Sequence, residues 1–356
     1  MVETALEALG ARSKSAARVL ATASTAQKND ALEFSASAIE ANTDEILSAN
    51  VADVAAQERA AASSTVIDRL RLTPNRLAQM SEGLRSVAAL VDPIGEIVEG
   101  RVLANGLEVR RVRVPLGVVG IVYENRPNVT SDSAALCVKS GNATLLRGSS
   151  GALESNRAVA AAVRSGVSKA GLPKDSVILV EDVRRETVEE FVRLRGVIDC
   201  LIPRGGHSLV SLVIERATVP YVIDGDGNCH IYIDESADLD MAERIVVNAK
   251  MQRPSVCNAV ETLLVHRSLA ESALPRLASA LEGVELVGDE TTRSILPSIA
   301  AATEEDYATE FLALKLAIAV VDDIGAAIDH IAKYSSGHSE AIVTSDRDAA
   351  RRFTKE

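Results

Sequence analysis

Short apolar runs of strand length alternate with helical patterns from residue 114 onward, and this alternation constrains the fold more than any other feature of the chain. The runs lie at residues 118–123, 144–147, 177–180, 198–202, 221–223 and 231–233. Strands that alternate with helices predict βαβ crossovers and a largely parallel sheet, so we expect an α/β fold. Such folds bind ligands beyond the carboxyl ends of their strands, which makes the turns after these runs candidate binding elements.

The region before residue 114 has two different patterns. Residues 3–90 are rich in alanine at helical spacing and predict successive helices, one of which starts at Pro74 directly after Thr73. Residues 94–114 change to short β-like runs around Asn105-Gly106, a pair suited to the positive φ angles of a type I′ turn. We expect a protruding hairpin at about 94–114 that is used for contact between subunits.

The composition limits the classes of function. The 356 residues are enough for two or three domains, and a formal net charge of -12 opposes binding to nucleic acid or to anionic membranes. The four cysteines are widely spaced, with no Cys-x-x-Cys pair and no histidine at zinc-finger spacing. We therefore expect a reduced, cytoplasmic protein with no metal site, no signal peptide and no membrane-spanning segment.

Two turns after predicted strands combine an arginine with glycines ahead of a helix. Their sequences are Arg147-Gly148-Ser149-Ser150-Gly151 and Pro203-Arg204-Gly205-Gly206-His207. Backbone N–H groups and a guanidinium suit phosphate oxygens, so both turns are candidate phosphate sites. Neither turn matches Gly-x-Gly-x-x-Gly or the Walker pattern, and an ordinary turn explains each of them equally well.

The stretch at residues 252–259 carries the strongest candidate for covalent chemistry. Cys257 follows a predicted helix and precedes an apolar run at residues 261–265. A thiol between two such elements can meet helix dipoles and solvent, which favour the nucleophilic thiolate. Cysteine is also among the most buried residue types, so a small core side chain is the alternative. Cys137, Cys200 and Cys229 are interpreted as structural.

A second unit is expected from residue 228, with a helix at 238–251, a strand at 316–321 and a helix at about 324–334. Ser336-Gly337-His338-Ser339-Glu340 follows, before another apolar run. Histidine and glutamate in this loop could bind a polar substrate, and a solvated turn is the alternative.

Four strings of the chain resemble the γ-glutamyl phosphate reductases of the aldehyde dehydrogenase superfamily. These are residues 118–128, Gly227-Asn228-Cys229-His230, residues 252–258 and residues 336–340. The resemblance implies an aldehyde dehydrogenase-like α/β fold, with a Rossmann-type parallel-sheet cofactor domain at 1–227, a catalytic α/β domain at 228–356 and a β-hairpin for oligomerisation.

The same resemblance implies an activity. It is the NADPH-dependent reduction of L-glutamyl 5-phosphate to L-glutamate 5-semialdehyde and phosphate, the second step of proline biosynthesis. A small-molecule substrate, a homo-oligomer and functional coupling to glutamate 5-kinase follow as expected partners.

The resemblance also implies roles for individual residues. Cys257 would form a thioester, and Asn125 would stabilise the oxyanion. Arg147 would lie near the adenosine ribose, where an arginine favours a 2′-phosphate. The implied cofactor-binding residues are Arg147, Gly148, Ser149, Arg204, Gly205 and Gly206, and the implied substrate-binding residues are Arg126, Arg253, Ser255 and His338.

Two departures from the family pattern leave alternatives open. Hydrolytic aldehyde dehydrogenases carry a glutamate base before a Gly-Gly pair, whereas this chain has Asp224-Gly225-Asp226-Gly227. Lack of that glutamate favours reduction of the thioester, although either aspartate could replace it and give a hydrolytic semialdehyde dehydrogenase. Family members continue beyond the position of Glu356, so we expect an incomplete catalytic domain, and a catalytically silent binding or scaffold protein is the other alternative.

Overall fold

The computed structural model describes residues 5–223 and 226–356. The chain divides into two units, Met1–Asp224 and Gly225–Glu356, and each has its own buried apolar cluster. Alanine and aliphatic side chains fill these clusters because aromatic residues make up only 3% of the sequence. Among the described residues, every helix is too short or too polar to cross a lipid bilayer.

The first unit begins with helices, as its alanine-rich pattern predicts. The fifth helix starts where the sequence indicates, because the Thr73 side chain accepts the N–H of Arg76 and Pro74 occupies the first turn. The helices are α1 (Ala5–Leu20), α2 (Thr25–Ala41), α3 (Thr43–Arg59), α4 (Ser64–Leu70) and α5 (Pro74–Ala89).

The predicted hairpin follows, with β1 (Ile97–Val102) antiparallel to β2 (Glu108–Val112). Its turn differs from the type I′ prediction, which requires positive φ at both central residues. Gly106 has φ +83°, whereas Asn105 is not among the described residues with positive φ. Gly106 donates its N–H to Leu103 and Leu103 donates to Leu107, so a three-residue loop closed by a left-handed glycine replaces the predicted turn.

The remaining elements of the first unit alternate strand and helix. They are β3 (Val118–Tyr123), α6 (Asn128–Lys139), β4 (Ala143–Arg147), α7 (Leu153–Lys169), β5 (Val177–Leu179), α8 (Arg185–Phe191), β6 (Cys200–Arg204) and α9 (His207–Arg216), with 3₁₀ turns at Ser150–Ala152 and Lys174–Ser176. Within the described residues the four strands pair in parallel in the order β5-β4-β3-β6. Every residue of β3 is buried, which explains its uninterrupted apolar sequence.

The strand order reverses at β3, and this determines where the first unit can bind a ligand. β3, β4 and β5 advance in one direction across the sheet, and β6 then pairs on the opposite side of β3. Connections leave a reversal point in opposite directions, so a crevice forms beyond the carboxyl ends of the strands there. The turns after β3 and β6 lie at this point.

The predicted strand at 221–223 is wrong. Tyr221 makes a single parallel bridge to Leu201, and the Val222 N–H donates to the Leu201 carbonyl, but the pairing does not extend into a strand. Tyr221, Val222 and Ile223 are exposed by 39%, 60% and 41%. An apolar run of three residues therefore did not indicate a buried strand here.

The second unit has a larger parallel sheet. Its elements are β7 (Cys229–Ile233), α10 (Leu239–Met251), β8 (Val260–His266), α11 (Ala270–Ala280), β9 (Glu285–Gly288), α12 (Glu290–Ile295), β10 (Ala300–Ala301), α13 (Glu304–Tyr307), β11 (Lys315–Val321), α14 (Ile324–Tyr334), β12 (Glu340–Val343) and α15 (Arg347–Phe353), with a 3₁₀ turn at Arg267–Leu269. The strand order in the described residues is β10-β9-β11-β8-β7-β12. Loops after α10 and α14 carry the predicted site residues of this unit.

Candidate functional site

Three turns converge at the carboxyl edge of the first unit's sheet. Asn125 follows β3, Ser149 follows β4, and Gly206 follows β6, and these strands are neighbours in the sheet. Hydrogen bonds join Asn125 to Ser149 and Gly206 to Glu124. The structure thus brings together the turns that the sequence marked as candidate binding elements.

Asn125 is held in an uncommon conformation by Ser149. Its φ is +37°, in the left-handed region that asparagine tolerates better than most residues. The Ser149 hydroxyl accepts the Asn125 backbone N–H at 3.1 Å and donates to Asn125 Oδ1 at 2.7 Å. Because the hydroxyl hydrogen is directed at the amide oxygen, the Nδ2 group is the end of the side chain that remains to donate to a ligand.

Glu124 is a member of this site that sequence reasoning missed. Its carboxylate Oε2 accepts the Gly206 N–H at 3.0 Å, where Gly206 caps the N-terminus of α9. The N-terminal end of a helix attracts negative charge, which explains the contact. A Cβ at position 205 would also overlap the Glu124 carboxyl group and Leu209, so a larger residue there would have to displace both side chains. The signal in the sequence was an acidic residue directly after a buried strand.

Arg147 is largely occupied by the protein itself. Only 6% of the residue is exposed, and its guanidinium donates to the carbonyls of Gly148, Val183 and Arg184 at 2.8 to 3.0 Å. Burial lowers the pKa of the guanidinium from its ordinary value. The side chain therefore braces the turn after β4 against the segment that precedes α8. Arg126 and Arg204 are half-buried, each in the turn to which the sequence assigned it.

The features of this edge fit a dinucleotide cofactor. The turn that contains Gly205 and Gly206 leads into α9, whose first backbone N–H groups can receive a pyrophosphate. Gly148 is also closely packed, since a Cβ there would overlap the Asn156 side chain. Arg204, Gly205 and Gly206 could hold the pyrophosphate. Arg147, Gly148 and Ser149 lie at the end of the neighbouring strand β4 and in the turn that follows it.

The nucleophile candidate of the second unit lies in the loop between α10 and β8, as predicted. Cys257 is half-buried, Ser255 is buried and Arg253 is exposed. The Val256 N–H donates to the Arg253 carbonyl at 3.3 Å, and the Ala259 N–H donates to the Val256 carbonyl at 3.1 Å, so successive tight turns shape the loop. A Cβ at position 227 would overlap the Cys257 carbonyl oxygen, which makes Gly227 a requirement of this loop.

Cys229 lies between the Cys257 loop and His338. Its thiol donates to the Cys257 carbonyl at 3.2 Å and lies 3.8 Å from His338 Nδ1. Burial raises the pKa of Cys229 to about 12, so this sulfur stays protonated at neutral pH. Cys229 is interpreted as structural from the sequence, and this hydrogen bond gives it a definite structural role, because the thiol supports the backbone of Cys257.

The loop before β12 is ordered by its glutamate and serines. The Glu340 carboxylate accepts the His230 N–H at 2.9 Å and the Ser335 hydroxyl. Ser336 accepts the Asn228 N–H at 3.0 Å. Glu340 is therefore part of the framework of the loop, whereas the half-buried His338 lies beside Cys229, the residue whose thiol donates to the Cys257 carbonyl.

The sequence proposed Asp224 or Asp226 as a hydrolytic base and predicted no metal site. Asp224 and Gly225 lie outside the described residues, so Asp226 is the described member of the pair that the sequence proposed as a hydrolytic base. Among the described residues, no cluster of three histidine, cysteine or acidic side chains is arranged to hold a metal ion.

Lys250 and Glu261, which flank the Cys257 loop, were missed by sequence reasoning. The signal was present in the sequence, because Lys250 continues the buried helical spacing of Ala242 and Val246. Glu261 likewise interrupts an apolar strand at a position that is 0% exposed.

Comparison with known proteins identifies the family. The aldehyde dehydrogenase family model matches residues 2–315. The γ-glutamyl phosphate reductase of Caldanaerobacter subterraneus subsp. tengcongensis is 49% identical over 98% of this chain and 85% of its own length. That of Thermobifida fusca is 49% identical over 99% of this chain and 85% of its own length. The crystal structure of γ-glutamyl phosphate reductase from Thermotoga maritima superposes with a TM-score of 0.92 at 43% identity, covering 99% of this chain and 86% of that one. The chain therefore belongs to the aldehyde dehydrogenase family and, within it, to the γ-glutamyl phosphate reductases.

Proposed function

We propose that the protein reduces L-glutamyl 5-phosphate to L-glutamate 5-semialdehyde and phosphate with NADPH, through a thioester on Cys257. Its place among the γ-glutamyl phosphate reductases supports the reaction, an oxidoreductase step of proline biosynthesis. The observation that carries the mechanism is the half-buried Cys257 thiol in a loop whose backbone is held by Gly227 and Cys229.

The covalent step assigns roles to this chain's own atoms. The Cys257 thiolate attacks the acyl carbon, a carbon–sulfur bond forms, and the carbon–oxygen bond to phosphate breaks with its electron pair leaving on phosphate. Asn125 Nδ2 donates to the oxyanion that develops on the carbonyl oxygen. NADPH, when bound, supplies the hydride that reduces the thioester. Loss of the carbon–sulfur bond then releases the aldehyde and returns Cys257 to the thiolate.

Cofactor and substrate contacts complete the proposal. Arg204, Gly205 and Gly206 bind the pyrophosphate at the N-terminus of α9, a role supported by the reversal of strand order at β3. Arg147, Gly148 and Ser149 are assigned to the ribose side. Because the Arg147 guanidinium already donates to three backbone carbonyls, the proposed preference for NADP over NAD rests on the positive charge that it places in the turn after β4. Substrate contacts are assigned to Arg126, Arg253, Ser255 and His338, and the position of His338 beside Cys229, which bonds to the Cys257 carbonyl, supports its assignment.

A pair of matched variants tests the nucleophile. Cys257→Ala removes the proposed sulfur, whereas Cys137→Ala removes a buried thiol in α6 whose pKa burial raises to about 12. Both are assayed with glutamate 5-semialdehyde, NADP and phosphate, and NADPH formation is followed by absorbance. We expect no turnover in Cys257→Ala and near-normal turnover in Cys137→Ala. Full activity in Cys257→Ala would remove the thioester mechanism.

The phosphate dependence of the same assay separates the alternatives. A reductase working in reverse needs phosphate to cleave the thioester, whereas a hydrolytic dehydrogenase forms glutamate without phosphate. The absence of a glutamate at residues 224–227 supports the reductase. Cofactor binding without any turnover of acyl phosphate or aldehyde would favour a silent scaffold.

The assembly and cellular context are also proposals. The β1–β2 hairpin exposes apolar side chains, which supports its use in a homo-oligomer. These include Ile97, Val102, Leu103 and Leu107, exposed by 54%, 68%, 37% and 55%. All four cysteines are free thiols, which supports a cytoplasmic location. We assign cofactor binding to residues 1–227 and the nucleophile to residues 228–356, with functional coupling to the glutamate 5-kinase that supplies the acyl phosphate.

A further inference from the structure

A fully buried ion pair closes the base of the loop that carries Cys257. Lys250 lies in the last turn of α10 and Glu261 is the second residue of β8, and both side chains are 0% exposed. Lys250 Nζ donates to the Val260 carbonyl at 2.8 Å and to the Glu261 carboxylate. One ammonium group therefore joins the last turn of the helix before the loop to the first two residues of the strand after it.

Stability alone does not account for this pair. Each buried ion costs several kcal/mol of desolvation, and replacement of a buried pair by apolar residues is often neutral or stabilising. Burial raises the pKa of Glu261 and lowers that of Lys250, so the surroundings oppose both charges. The bonds that the pair makes to the backbone point to a role in positioning.

The second oxygen of Glu261 extends the connection to another segment. Glu261 Oε1 accepts the Leu312 N–H at 3.2 Å, and Leu312 has φ +52°, a left-handed conformation that costs about 1–3 kcal/mol and persists only where neighbours enforce it. Two residues earlier, Glu310 accepts the Gly227 N–H at 3.0 Å. Gly227 in turn packs against the Cys257 carbonyl. A continuous set of contacts thus runs from α10 through β8 and back to the nucleophile.

We propose that Lys250 and Glu261 are positioning residues that hold the Cys257 loop in its reactive conformation. The proposal rests on the proposed role of Cys257 as nucleophile. Neither side chain touches the substrate in this proposal, and both act through the backbone at Val260 and Leu312.

The test is the double variant Lys250→Met/Glu261→Leu in the full chain, which removes both charges together and leaves no unpaired buried ion. Its matched control is Arg276→Met/Glu243→Gln, which removes an ion pair between α11 and α10 that does not reach the loop. Readouts are kcat and KM in the semialdehyde assay, the thermal midpoint, and the pH dependence of Cys257 alkylation by iodoacetamide, followed on the Cys257 peptide by mass spectrometry.

In the double variant we expect kcat to fall at least about tenfold with KM within about threefold, because a misplaced reacting group costs rate more than binding. The pH profile of Cys257 alkylation should shift, and the control pair should change neither quantity. Wild-type kcat with a wild-type alkylation profile overturns the positioning role while leaving the mechanism intact if Cys257→Ala is inactive. Activity in Cys257→Ala instead removes the mechanism itself.

Glu261→Gln keeps the test decisive if the double variant does not fold. Glutamine preserves the side-chain volume and retains one acceptor for Lys250 or Leu312, so an intermediate loss of kcat is expected. Wild-type kcat and an unchanged alkylation profile in Glu261→Gln contradict the proposal.

Discussion

The role of Ser149 can be tested directly, because the sequence and the structure predict different functions for its hydroxyl group. The sequence assigns this serine to the cofactor, whereas the structure shows its hydroxyl bonded twice to Asn125. If orientation of Asn125 is its main task, Ser149→Ala should lower kcat and leave the KM for NADP nearly unchanged. If cofactor contact is its main task, the KM for NADP should rise instead.

The size of the effect follows from the bonds that are lost. Removal of an oxyanion donor lowers kcat by about 10²–10³, or about 2.7–4 kcal/mol, and this is the expected result for Asn125→Gly. Glycine is the suitable replacement because it tolerates the φ of +37° without strain. Ser149→Ala keeps the donor and removes two hydrogen bonds worth about 0.5–1.5 kcal/mol each, so kcat should fall by about tenfold.

A double-mutant cycle decides whether the two residues act together. Turnover is measured for both single variants and for Ser149→Ala/Asn125→Gly, with the exposed neighbour Ser150→Ala as control. If Ser149 acts through Asn125, its substitution has no further effect once Asn125 is glycine. An equal tenfold loss in both backgrounds would refute the orientation argument and favour a separate contact of Ser149 with the cofactor.

Two further predictions use charges in the two units. Glu124→Gln removes a negative charge from the N-terminus of α9, where the cofactor pyrophosphate is proposed to bind. NADPH should therefore bind several-fold more tightly to this variant in a fluorescence titration. Unchanged or weaker binding would contradict the proposed pyrophosphate site. His330 packs against Tyr307 and Tyr334 with ring centroids 4.9 and 4.6 Å away, and burial lowers its pKa from 6.5 to about 4. The unfolded chain therefore binds the proton more readily, and about 2–3 kcal/mol of stability should be lost as pH falls from about 6.5 to about 4. His330→Phe should flatten this part of the pH dependence of the thermal midpoint, and an unaltered slope would refute the assignment.

Local patterns in the sequence predicted much of the fold. The helix α14 and the strand β3 have the predicted bounds, and the Cys257 loop lies between a helix and a strand as expected. These predictions succeed because side-chain periodicity reflects which face of an element is buried, and that face belongs to the element itself. The predicted strand at residues 221–223 is wrong because strand formation depends on pairing with a neighbouring strand, and three consecutive apolar residues do not show whether such a strand is present.

The sequence by itself determined the α/β class, the family and the identity of Cys257 and Asn125 as candidates, because motifs and periodicity are properties of consecutive residues. Only the tertiary structure decided that the Ser149 hydroxyl bonds to Asn125, that Glu124 accepts the N–H of Gly206 at the start of α9, and that Lys250 and Glu261 join the two ends of the nucleophile loop. Hydrogen bonds and ion pairs of this kind depend on distances of about 3 Å between residues that the fold, and not the chain order, brings together.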